Sequence, residues 1–264
     1  MPYEYHNSEN FYDSELKIIF HIDNITNKSP NFPHWHKSPE LLLVTEGVLT
    51  LICDGIERNY NVGEMAVINN NSIHDMYTTN GACRYFCLII DNEIYDINYK
   101  RLPFKSVNCE TVNIYKKIIE ELINKQPNYK KAVTGYISVL FSLLSREDTD
   151  QKEPIVNLRK IKLVKSVTEY MYENFIQNIT LEELSDKFST SKYYLSHIFK
   201  EITGNTIFTH LNYIRCMHAK SLLKSGKYNV AESAYHSGYS NLSYFSRTYK
   251  NIVGNLPTKD LSNR

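Results

Sequence analysis

The first 90 residues alternate between short apolar runs and turn residues. The apolar runs occupy residues 41–45, 48–53, 56–60, 65–68 and 83–90. Turn residues separate them at intervals of about ten residues, which is typical of a β-sandwich or β-barrel. Asp54-Gly55 lies between two of the runs. This pair predicts a type I′ hairpin, because both central positions of that turn need a positive φ.

After residue 110 the apolar positions follow helical spacing. They recur every three or four residues over 112–123 and again over 133–144, and Gln126-Pro127-Asn128 separates the two stretches. We therefore expect two amphipathic helices after the strands. Either their apolar faces leave a seam for a second copy of the chain, or they pack wholly on the sheet and on each other.

Residues 158–255 show helical spacing throughout and contain one pattern twice. Thr180-Leu181-Glu182-Glu183 fits a capping box, and Ser191 is placed to cap a second helix over 192–202, which predicts a helix-turn-helix. The segments 191–200 (SKYYLSHIFK) and 241–250 (NLSYFSRTYK) align residue by residue, and a glycine follows each at the same distance. A long helix over 206–225 can place the two repeats in successive major grooves about 34 Å apart.

Composition narrows the class of protein. The 264 residues are 42% hydrophobic and 22% charged, which suits a folded two-domain protein and excludes disordered, collagen-like and disulfide-rich classes. The apolar runs are shorter than the roughly 20 residues that cross a bilayer, and no secretory signal pattern is present. We therefore expect a cytoplasmic protein without a membrane partner. The five cysteines form no Cys-x-x-Cys pair and are expected to be reduced thiols.

Charge divides the chain into unlike halves. Residues 1–150 contain 14 Lys and Arg against 20 Asp and Glu, a net charge of −6, whereas residues 151–264 contain 16 against 9, a net charge of +7. Only the basic half suits a polyanion such as double-stranded DNA. A polar, proline-containing stretch lies between them. We expect a first domain over 1–146, a linker over 147–156 and a DNA-binding domain over 157–264.

One group of side chains in the acidic half suits ligand chemistry. His34-x-His36-x3-Glu40 precedes and enters a predicted strand, and His74 can approach from a later strand. Three imidazoles and a carboxylate suit Zn, Fe, Mn or Ni. The alternatives are a pocket for an organic ligand, or core histidines that bind nothing.

His34-Trp35-His36 followed by Glu40 and Gly47, and then Gly63 and His74, resembles the two-part pattern of the cupin family. Asn69-Asn70-Asn71 stands where that family usually has a proline. The resemblance implies a small β-barrel that binds a sugar or a metal inside. A sugar is favoured, no cofactor is expected, and a metal, if present, would take His34, His36, Glu40 and His74. The expected effector pocket comprises His34, Trp35, His36, Glu40, His74, Tyr77 and Tyr85.

The basic half resembles the AraC/XylS family of bacterial transcription regulators. The matching motifs are Phe199-Lys200-x3-Gly204, Arg215-x3-Ala219, Gly238-Tyr239, Tyr244-Phe245-Ser246-Arg247 and Gly254-x2-Pro257. Ser185 replaces the usual alanine, and the tail lacks the family's Ser-Pro-x-x-Tyr-Arg ending. The resemblance implies base-edge contacts by Tyr193, Ser196, His197, Ser243, Ser246 and Arg247, and phosphate contacts by Thr180, Lys192, Lys200, Asn241 and Lys250.

These observations predict an α+β protein of two domains, with a cupin-like β-barrel followed by two helices and an all-α double helix-turn-helix. The predicted function is sequence-specific regulation of transcription in response to a small molecule, a sugar or sugar derivative. The expected partners are double-stranded DNA, the effector, a second copy of the chain in a homodimer, and RNA polymerase. The alternative is a metal-dependent cupin enzyme, a dioxygenase or isomerase, which leaves the repeated helix-turn-helix without a role.

Overall fold

A computed structural model describes residues 11–26, 32–79, 81–91, 95, 105–106, 108–147 and 158–261. The chain forms two compact units, one of residues 1–27 and 34–155 and the other of residues 28–33 and 156–264. The first unit is rich in strands and the second is helical, so the predicted α+β class is confirmed. The expected linker at 147–156 lies outside the described residues, except for Glu147.

Antiparallel pairing organises the strands of the first unit into two sheets. The larger sheet has the order β1-β2-β8-β3-β6-β9 and the smaller has the order β5-β4-β7. The strands are β1 (Phe11–Asp13), β2 (Ile18–Thr26), β3 (Glu40–Glu46), β4 (Leu49–Cys53), β5 (Ile56–Tyr60), β6 (Met65–Ile68), β7 (His74–Tyr77), β8 (Ala82–Ile90) and β9 (Lys105–Ser106). Asp54 and Gly55 join β4 to β5 with φ of 52° and 83°, as the predicted type I′ turn requires.

Strand β3 is buried on both faces, which explains its unbroken apolar run. On one face Leu41 and Leu43 pack against helices α1 (Cys109–Asn124) and α2 (Tyr129–Leu144). On the other face Leu42 and Val44 share a core with residues of the smaller sheet. Glu40 alternates with Leu41 and so belongs to this second face, where it is 1% exposed. A carboxylate is therefore buried at the edge of the apolar core between the two sheets.

Helices α1 and α2 lie against the outer face of the larger sheet. Helix α1 begins at an N-cap, Asn108, whose side chain accepts from the backbone N–H of Glu110. The Tyr115 hydroxyl donates to the carbonyl of Leu41 over 3.0 Å, which ties α1 to β3. Ile123 and Val139 remain 54% and 44% exposed. The two helices thus bury most of their apolar stripes and leave a smaller apolar surface outside.

The second unit is built from six α-helices within the described residues 158–261. They are α3 (Leu158–Asn174), α4 (Leu181–Lys187), α5 (Lys192–Thr203), α6 (Ile207–Lys224), α7 (Val230–His236) and α8 (Leu242–Val253), and a short 3-10 helix (Pro257–Lys259) follows. Arg215 of α6 donates to the carbonyls of Phe175 and Gln177 over 2.7 and 2.8 Å. Those bonds hold the loop after α3 against the central helix. Among the described residues, no helix combines the length and apolar character needed to span a membrane.

Candidate functional site

The first helix-turn-helix consists of α4, a four-residue turn and α5. The Thr180 side chain caps α4 by accepting from the backbone N–H of Glu183 over 3.1 Å. The predicted capping box is not completed, because the Glu183 carboxylate accepts a hydrogen bond from the Tyr170 hydroxyl of α3 instead. Ser191 caps α5 through the backbone N–H of Tyr194. Helix α5 ends at Gly204, whose φ is +70°.

Helix α5 has one buried face and one exposed face. Leu195, Ile198, Phe199 and Ile202 are buried. On the other face Tyr193 is 81% exposed, and its ring lies beside that of His197, with 6.2 Å between centroids and an angle of 27° between the ring planes. Ser196, Lys192 and Lys200 are also exposed. The structure therefore gathers the five α5 residues with predicted DNA contacts on the surface of one helix.

Two acidic side chains lie beside this exposed face. Lys192 forms an ion pair with Glu182 of α4. The Nδ1 atom of His197 lies 3.6 Å from a carboxylate oxygen of Glu201, which also pairs with Lys160 of α3. Exposed pairs of this kind contribute at most about 1 kcal/mol each. Pairs this weak leave the Lys192 and His197 side chains able to exchange the carboxylate for a phosphate.

The second helix-turn-helix repeats this construction with α7 and α8. Here a complete capping box is present, since Asn229 and Glu232 each accept from the other's backbone N–H over 2.9 and 2.8 Å. This capping box was not predicted from the sequence. Asn241 caps α8 through the backbone N–H of Tyr244 over 2.8 Å. Helix α8 ends at Gly254, whose φ is +87°.

The exposed face of α8 differs chemically from that of α5. Ser243, Arg247 and Lys250 are exposed and Ser246 is half-buried, whereas Phe245, Tyr249 and Ile252 are buried. Arg247 stands where α5 has His197. An arginine guanidinium donates two parallel hydrogen bonds to a planar acceptor, which imidazole cannot do. The two faces therefore offer different hydrogen-bonding groups on the same helical framework.

In the first unit the structure brings together the four side chains that were predicted to bind a ligand. Glu40 begins β3, His74 begins β7, and His34 and His36 precede β3. His34 and His74 exchange both backbone hydrogen bonds, over 3.0 and 2.8 Å. The Glu40 Oε2 atom lies 3.0 Å from His36 Nε2 and 3.1 Å from His74 Nε2. One ligating atom from each of the four residues lies within 4.8 Å of all the others.

The electrostatics of this cluster favour an ionised carboxylate. Burial raises the pKa of Glu40, but the hydrogen bonds from His36 and His74 outweigh burial and hold that pKa well below its usual range. Burial lowers the pKa of His74, but the hydrogen bond and charge of Glu40 outweigh it, so that pKa is raised. The second oxygen of Glu40 accepts from the Cys87 thiol over 3.0 Å. Burial and the neighbouring Glu40 both raise the pKa of Cys87, which keeps it a thiol.

The aromatic residues of the expected pocket occupy different places. Trp35 is half-buried between the two histidines in the chain. Tyr85 lies in the core between the sheets and is 3% exposed. Tyr77 does not join the cluster, contrary to the expected pocket, because it lies on the opposite face of β7 from His74. Its hydroxyl donates to Glu57 over 3.0 Å. Cys87 was missed, although its position on β8, two residues from Tyr85, places both on one face.

The donor set of the cluster fits a divalent transition-metal ion. Imidazole nitrogens and a carboxylate oxygen are ligands for Zn²⁺, Fe²⁺, Mn²⁺ and Ni²⁺. Such an ion would be held by His34, His36, Glu40 and His74, and it would supply a positive charge to the anionic oxygens or hydroxyls of a ligand. The same side chains can instead donate and accept hydrogen bonds directly with a polar organic molecule.

Comparison with known proteins matches each unit to one family profile. An AraC-like ligand-binding domain matches residues 19–111, and a helix-turn-helix domain matches residues 184–262. The transcriptional activator RhaS of Mannheimia succiniciproducens is 23% identical over 240 residues, which is 86% of this chain and 88% of RhaS. YdeC of Bacillus subtilis, an uncharacterised HTH-type transcriptional regulator, is 21% identical over 248 residues, 85% of this chain and 84% of YdeC.

A solved structure of ToxT from Vibrio cholerae covers 94% of this chain and 99% of its own, with 13% identity and a TM-score of 0.48. The two family profiles occupy the two units in the order that the sequence predicts, and the relatives that match along most of the chain are transcriptional regulators. The chain is a DNA-binding protein with a ligand-binding domain, and it belongs to the AraC family of transcriptional regulators.

Proposed function

We propose that this regulator reads two consecutive boxes of DNA, one with α5 and one with α8, and that a sugar or sugar derivative bound in the first unit controls it. The observation that carries the DNA part is the repeated arrangement of a capped helix with a buried apolar face and an exposed polar face. A structural surface helix has no need of that repetition. The geometry suits insertion of each helix into a major groove.

The exposed residues divide by reach and chemistry. We assign base-edge contacts to Tyr193, Ser196, His197, Ser243, Ser246 and Arg247, which lie along the two outward faces. Thr180, Lys192, Lys200, Asn241 and Lys250 lie at helix starts or flanks and suit phosphate oxygens. Thr180 and Asn241 already cap helices with their side-chain oxygens. Their remaining donors, a hydroxyl proton and an amide group, are available to an anionic oxygen.

The proposed sugar pocket is supported by its combination of groups. The Glu40 carboxylate and the imidazoles of His34 and His36 can pair with hydroxyl groups, and the half-buried Trp35 offers an aromatic face of the kind that packs on a pyranose ring. ToxT has been solved with an unsaturated fatty acid bound, which makes a lipid the main competing effector class for this chain. A fatty acid would need a long apolar channel, whereas a sugar needs the polar groups that the cluster supplies.

We further propose that the regulator is a homodimer. Ile123 of α1 and Val139 of α2 stay exposed, although the other large apolar residues of both helices are buried or half-buried. A second copy that covers this surface would give the isologous contact typical of two-fold dimers. RNA polymerase is the expected partner at a promoter. We assign no catalytic role to the chain, because the relatives that match along most of it are regulators.

The DNA assignment is tested by comparing two cationic residues. Arg247→Ala is expected to weaken binding to the selected DNA site by about 10-fold to 100-fold and to leave non-specific binding nearly unchanged, because a base-edge contact is lost. Lys200→Ala should weaken specific and non-specific binding alike. It should also reduce the slope of log affinity against log salt concentration by about the amount that one phosphate contact contributes. Lys116→Ala, on the exposed face of α1, is the control and should change neither. Fluorescence anisotropy over a salt series measures all three, and equal loss of discrimination in Arg247→Ala and Lys200→Ala would contradict the assignment.

The effector assignment is tested by thermal unfolding of the chain with a panel of monosaccharides, sugar phosphates and fatty acids. A sugar that raises the melting temperature of the wild type and has no effect on His36→Ala supports the proposal. Stabilisation by a fatty acid alone would replace the sugar with a lipid effector.

A further inference from the structure

We propose that helix α5 identifies its DNA box through the methyl groups of two neighbouring thymines, which Tyr193 and His197 contact with their rings. The inference rests on the proposed function, because it needs α5 to lie in a major groove and then names the bases that it reads there. It can fail on its own, since the phosphate contacts and the reading of the second box by α8 do not depend on it.

Helix α5 carries few side chains that identify a base by hydrogen bonds. Arginine and lysine pair with guanine, and asparagine and glutamine pair with adenine. The segment 192–203 contains no arginine, asparagine or glutamine, and its two lysines stand at its first position and in its last turn. Lys192 also forms an ion pair with Glu182 of α4. Both lysines therefore suit phosphates at the flanks, and the exposed residues between them are left to meet the bases.

The exposed surface between the lysines is largely aromatic. Tyr193 is 81% exposed, the largest exposed fraction of any large hydrophobic side chain among the described residues. His197 follows four residues later, so both side chains lie on one face of the helix. Their ring centroids are 6.2 Å apart and their planes differ by 27°. The two rings thus form one aromatic surface, and the N-terminal part of a recognition helix is where base edges are contacted.

The length of this surface matches successive bases on one DNA strand. Neighbouring bases follow each other at about 3.4 Å along the helix axis of DNA. The 6.2 Å between the two ring centroids therefore spans about two such steps. In the major groove thymine is the base that presents a methyl group, and apolar side chains recognise it by contact. A pair of rings at this spacing suits two thymine methyl groups.

Helix α8 has no such surface at the corresponding positions. The residues that align with Tyr193 and His197 are Ser243 and Arg247, a hydroxyl and a guanidinium. Both are exposed on α8, so they occupy the same outward face. Arginine reads guanine through two parallel hydrogen bonds. The two halves therefore use different physical means, hydrogen bonding in the second and apolar contact in the first.

The test uses full-length protein and a duplex selected by it from a random pool. Each thymine of the first box is replaced in turn by deoxyuridine, which removes the methyl group and leaves base pairing unchanged. Two of these replacements should each lower the affinity about 4-fold, the value of one buried methyl group. Replacements in the second box and in flanking DNA should change nothing. Fluorescence anisotropy at one salt concentration measures every duplex.

Variants assign the methyl contacts to side chains. Tyr193→Ala should bind the thymine and deoxyuridine duplexes equally at one of the two positions, and His197→Ala should do so at the other. Tyr193→Phe keeps the ring without the hydroxyl and should retain the full methyl effect. Tyr235→Ala, which removes a ring of 73% exposure from α7, is the matched control and should also retain it. Unchanged affinity for non-specific DNA establishes that each variant is folded.

The outcomes separate this inference from the function on which it rests. If the wild type selects two boxes but no deoxyuridine in the first box lowers its affinity, methyl reading is overturned and the two-box function stands. If Tyr193→Ala keeps the methyl effect at both positions, the role of Tyr193 is overturned. Loss of the effect in Tyr193→Phe would assign the contact to the hydroxyl and contradict an apolar contact. If the wild type selects no box at all, both proposals fall.

Discussion

The two helix-turn-helix halves of the second unit share a buried framework and differ on their exposed surface. Both recognition helices have 12 residues, a side-chain N-cap and a glycine end in the left-handed region. Three buried positions match: Leu195 with Phe245, Phe199 with Tyr249, and Ile202 with Ile252. Ile198 and Thr203 of α5 are also buried, whereas the residues at the same positions of α8 are half-buried. The outward residues Ser196 and Lys200 of α5 have the same residue types as Ser246 and Lys250 of α8. His197, in contrast, corresponds in position to Arg247. Packing thus gives the two halves a common fold, and they differ in a few exposed groups.

The turns of the two halves also differ. Four residues separate α4 from α5, and five separate α7 from α8. In both turns the second residue has a positive φ, Ser189 at 49° and Gly238 at 81°. Gly238 lies against the backbone of Phe175 and Ile176, so that a side chain has no room there. The second half is therefore fastened to the loop after α3 in a way that depends on glycine.

The largest effect is expected from Gly238→Ala. A Cβ atom there would lie 2.8 Å from the Phe175 carbonyl oxygen and 2.9 Å from that of Ile176, at a φ of +81°. Backbone atoms cannot move aside cheaply, so we expect a loss of more than about 3 kcal/mol in the free energy of unfolding. Urea unfolding followed by circular dichroism measures it. The single tryptophan, Trp35, reports the first unit separately through its fluorescence.

Gly254→Ala is the matched control for this variant. Its φ is +87°, but no atom lies within 4 Å of the added Cβ, so only the backbone conformation is strained. We expect a loss of about 1–2 kcal/mol. Equal losses in the two variants would show that the close approach at Gly238 contributes nothing.

The second effect concerns a buried histidine that packs behind α5. His210 is buried against the rings of Phe199, Tyr172 and Tyr213. Neither of its ring nitrogens has a hydrogen-bond partner among the described residues. Burial lowers the pKa of His210 to about 4. The unfolded chain takes up this proton near pH 6.5 and the folded chain only near pH 4. Stability is therefore complete above about pH 6.5 and falls as the pH drops towards 4, by about 3 kcal/mol in all.

His210→Leu should remove this part of the acid sensitivity, because leucine has no proton to gain. Urea midpoints of wild type and variant at pH 7, 5 and 4 measure the difference. His236→Gln, at an exposed position of α7, is the control and should retain the wild-type slope. Parallel pH profiles for wild type and His210→Leu would contradict the prediction.

The third effect separates the two exposed faces. Arg247→Ala should cost about 1–3 kcal/mol on the selected DNA site, and His197→Ala less than about 1 kcal/mol, because only arginine can pair with both acceptors of a guanine. His197→Arg should give the first box a guanine preference that it lacks in the wild type. Anisotropy on matched duplexes gives the affinities. A greater loss for His197→Ala would reverse the assignment of the two halves.

The smallest effect tests a difference within the matched core. The Tyr249 hydroxyl donates to Asp260 over 2.8 Å, whereas Phe199 at the matching position has no hydroxyl. Tyr249→Phe makes the second half like the first and should cost about 1 kcal/mol, the net value of one hydrogen bond. Tyr235→Phe, which alters an exposed hydroxyl of α7, is the control in the same urea experiment and should cost nothing.

Repeated local patterns made the helical unit predictable from sequence. Apolar spacing, N-cap residues and terminal glycines place α5 and α8 within a few residues of where the structure has them. The capping box was assigned to the wrong half, because Glu183 contacts Tyr170 of α3 and that contact is not visible in local spacing. In the first unit β3 to β6 and β8 were predicted from their apolar runs. Strand β2 was missed because His21, Asp23 and Asn24 interrupt its pattern.

The ligand cluster was predictable only in part. His34, His36 and Glu40 lie close in sequence, so their grouping could be predicted, although His34 and His36 precede β3 and do not alternate with Glu40 on one strand. Cys87 reaches Glu40 across 47 residues, and only the pairing of β3 with β8 reveals that contact. Tyr77 was placed wrongly because the register of β7, which decides its face, is not fixed by four residues.

The central claim is that two unlike recognition helices read two boxes of one DNA site. Selection of bound duplexes from a random pool, with the full-length wild type and with Arg247→Ala at moderate salt, tests it most directly. The account predicts two boxes about 10 base pairs apart for the wild type. One of the two boxes should contain a guanine that the wild type selects and that Arg247→Ala no longer selects. A single box, or two boxes that the variant selects unchanged, would contradict it.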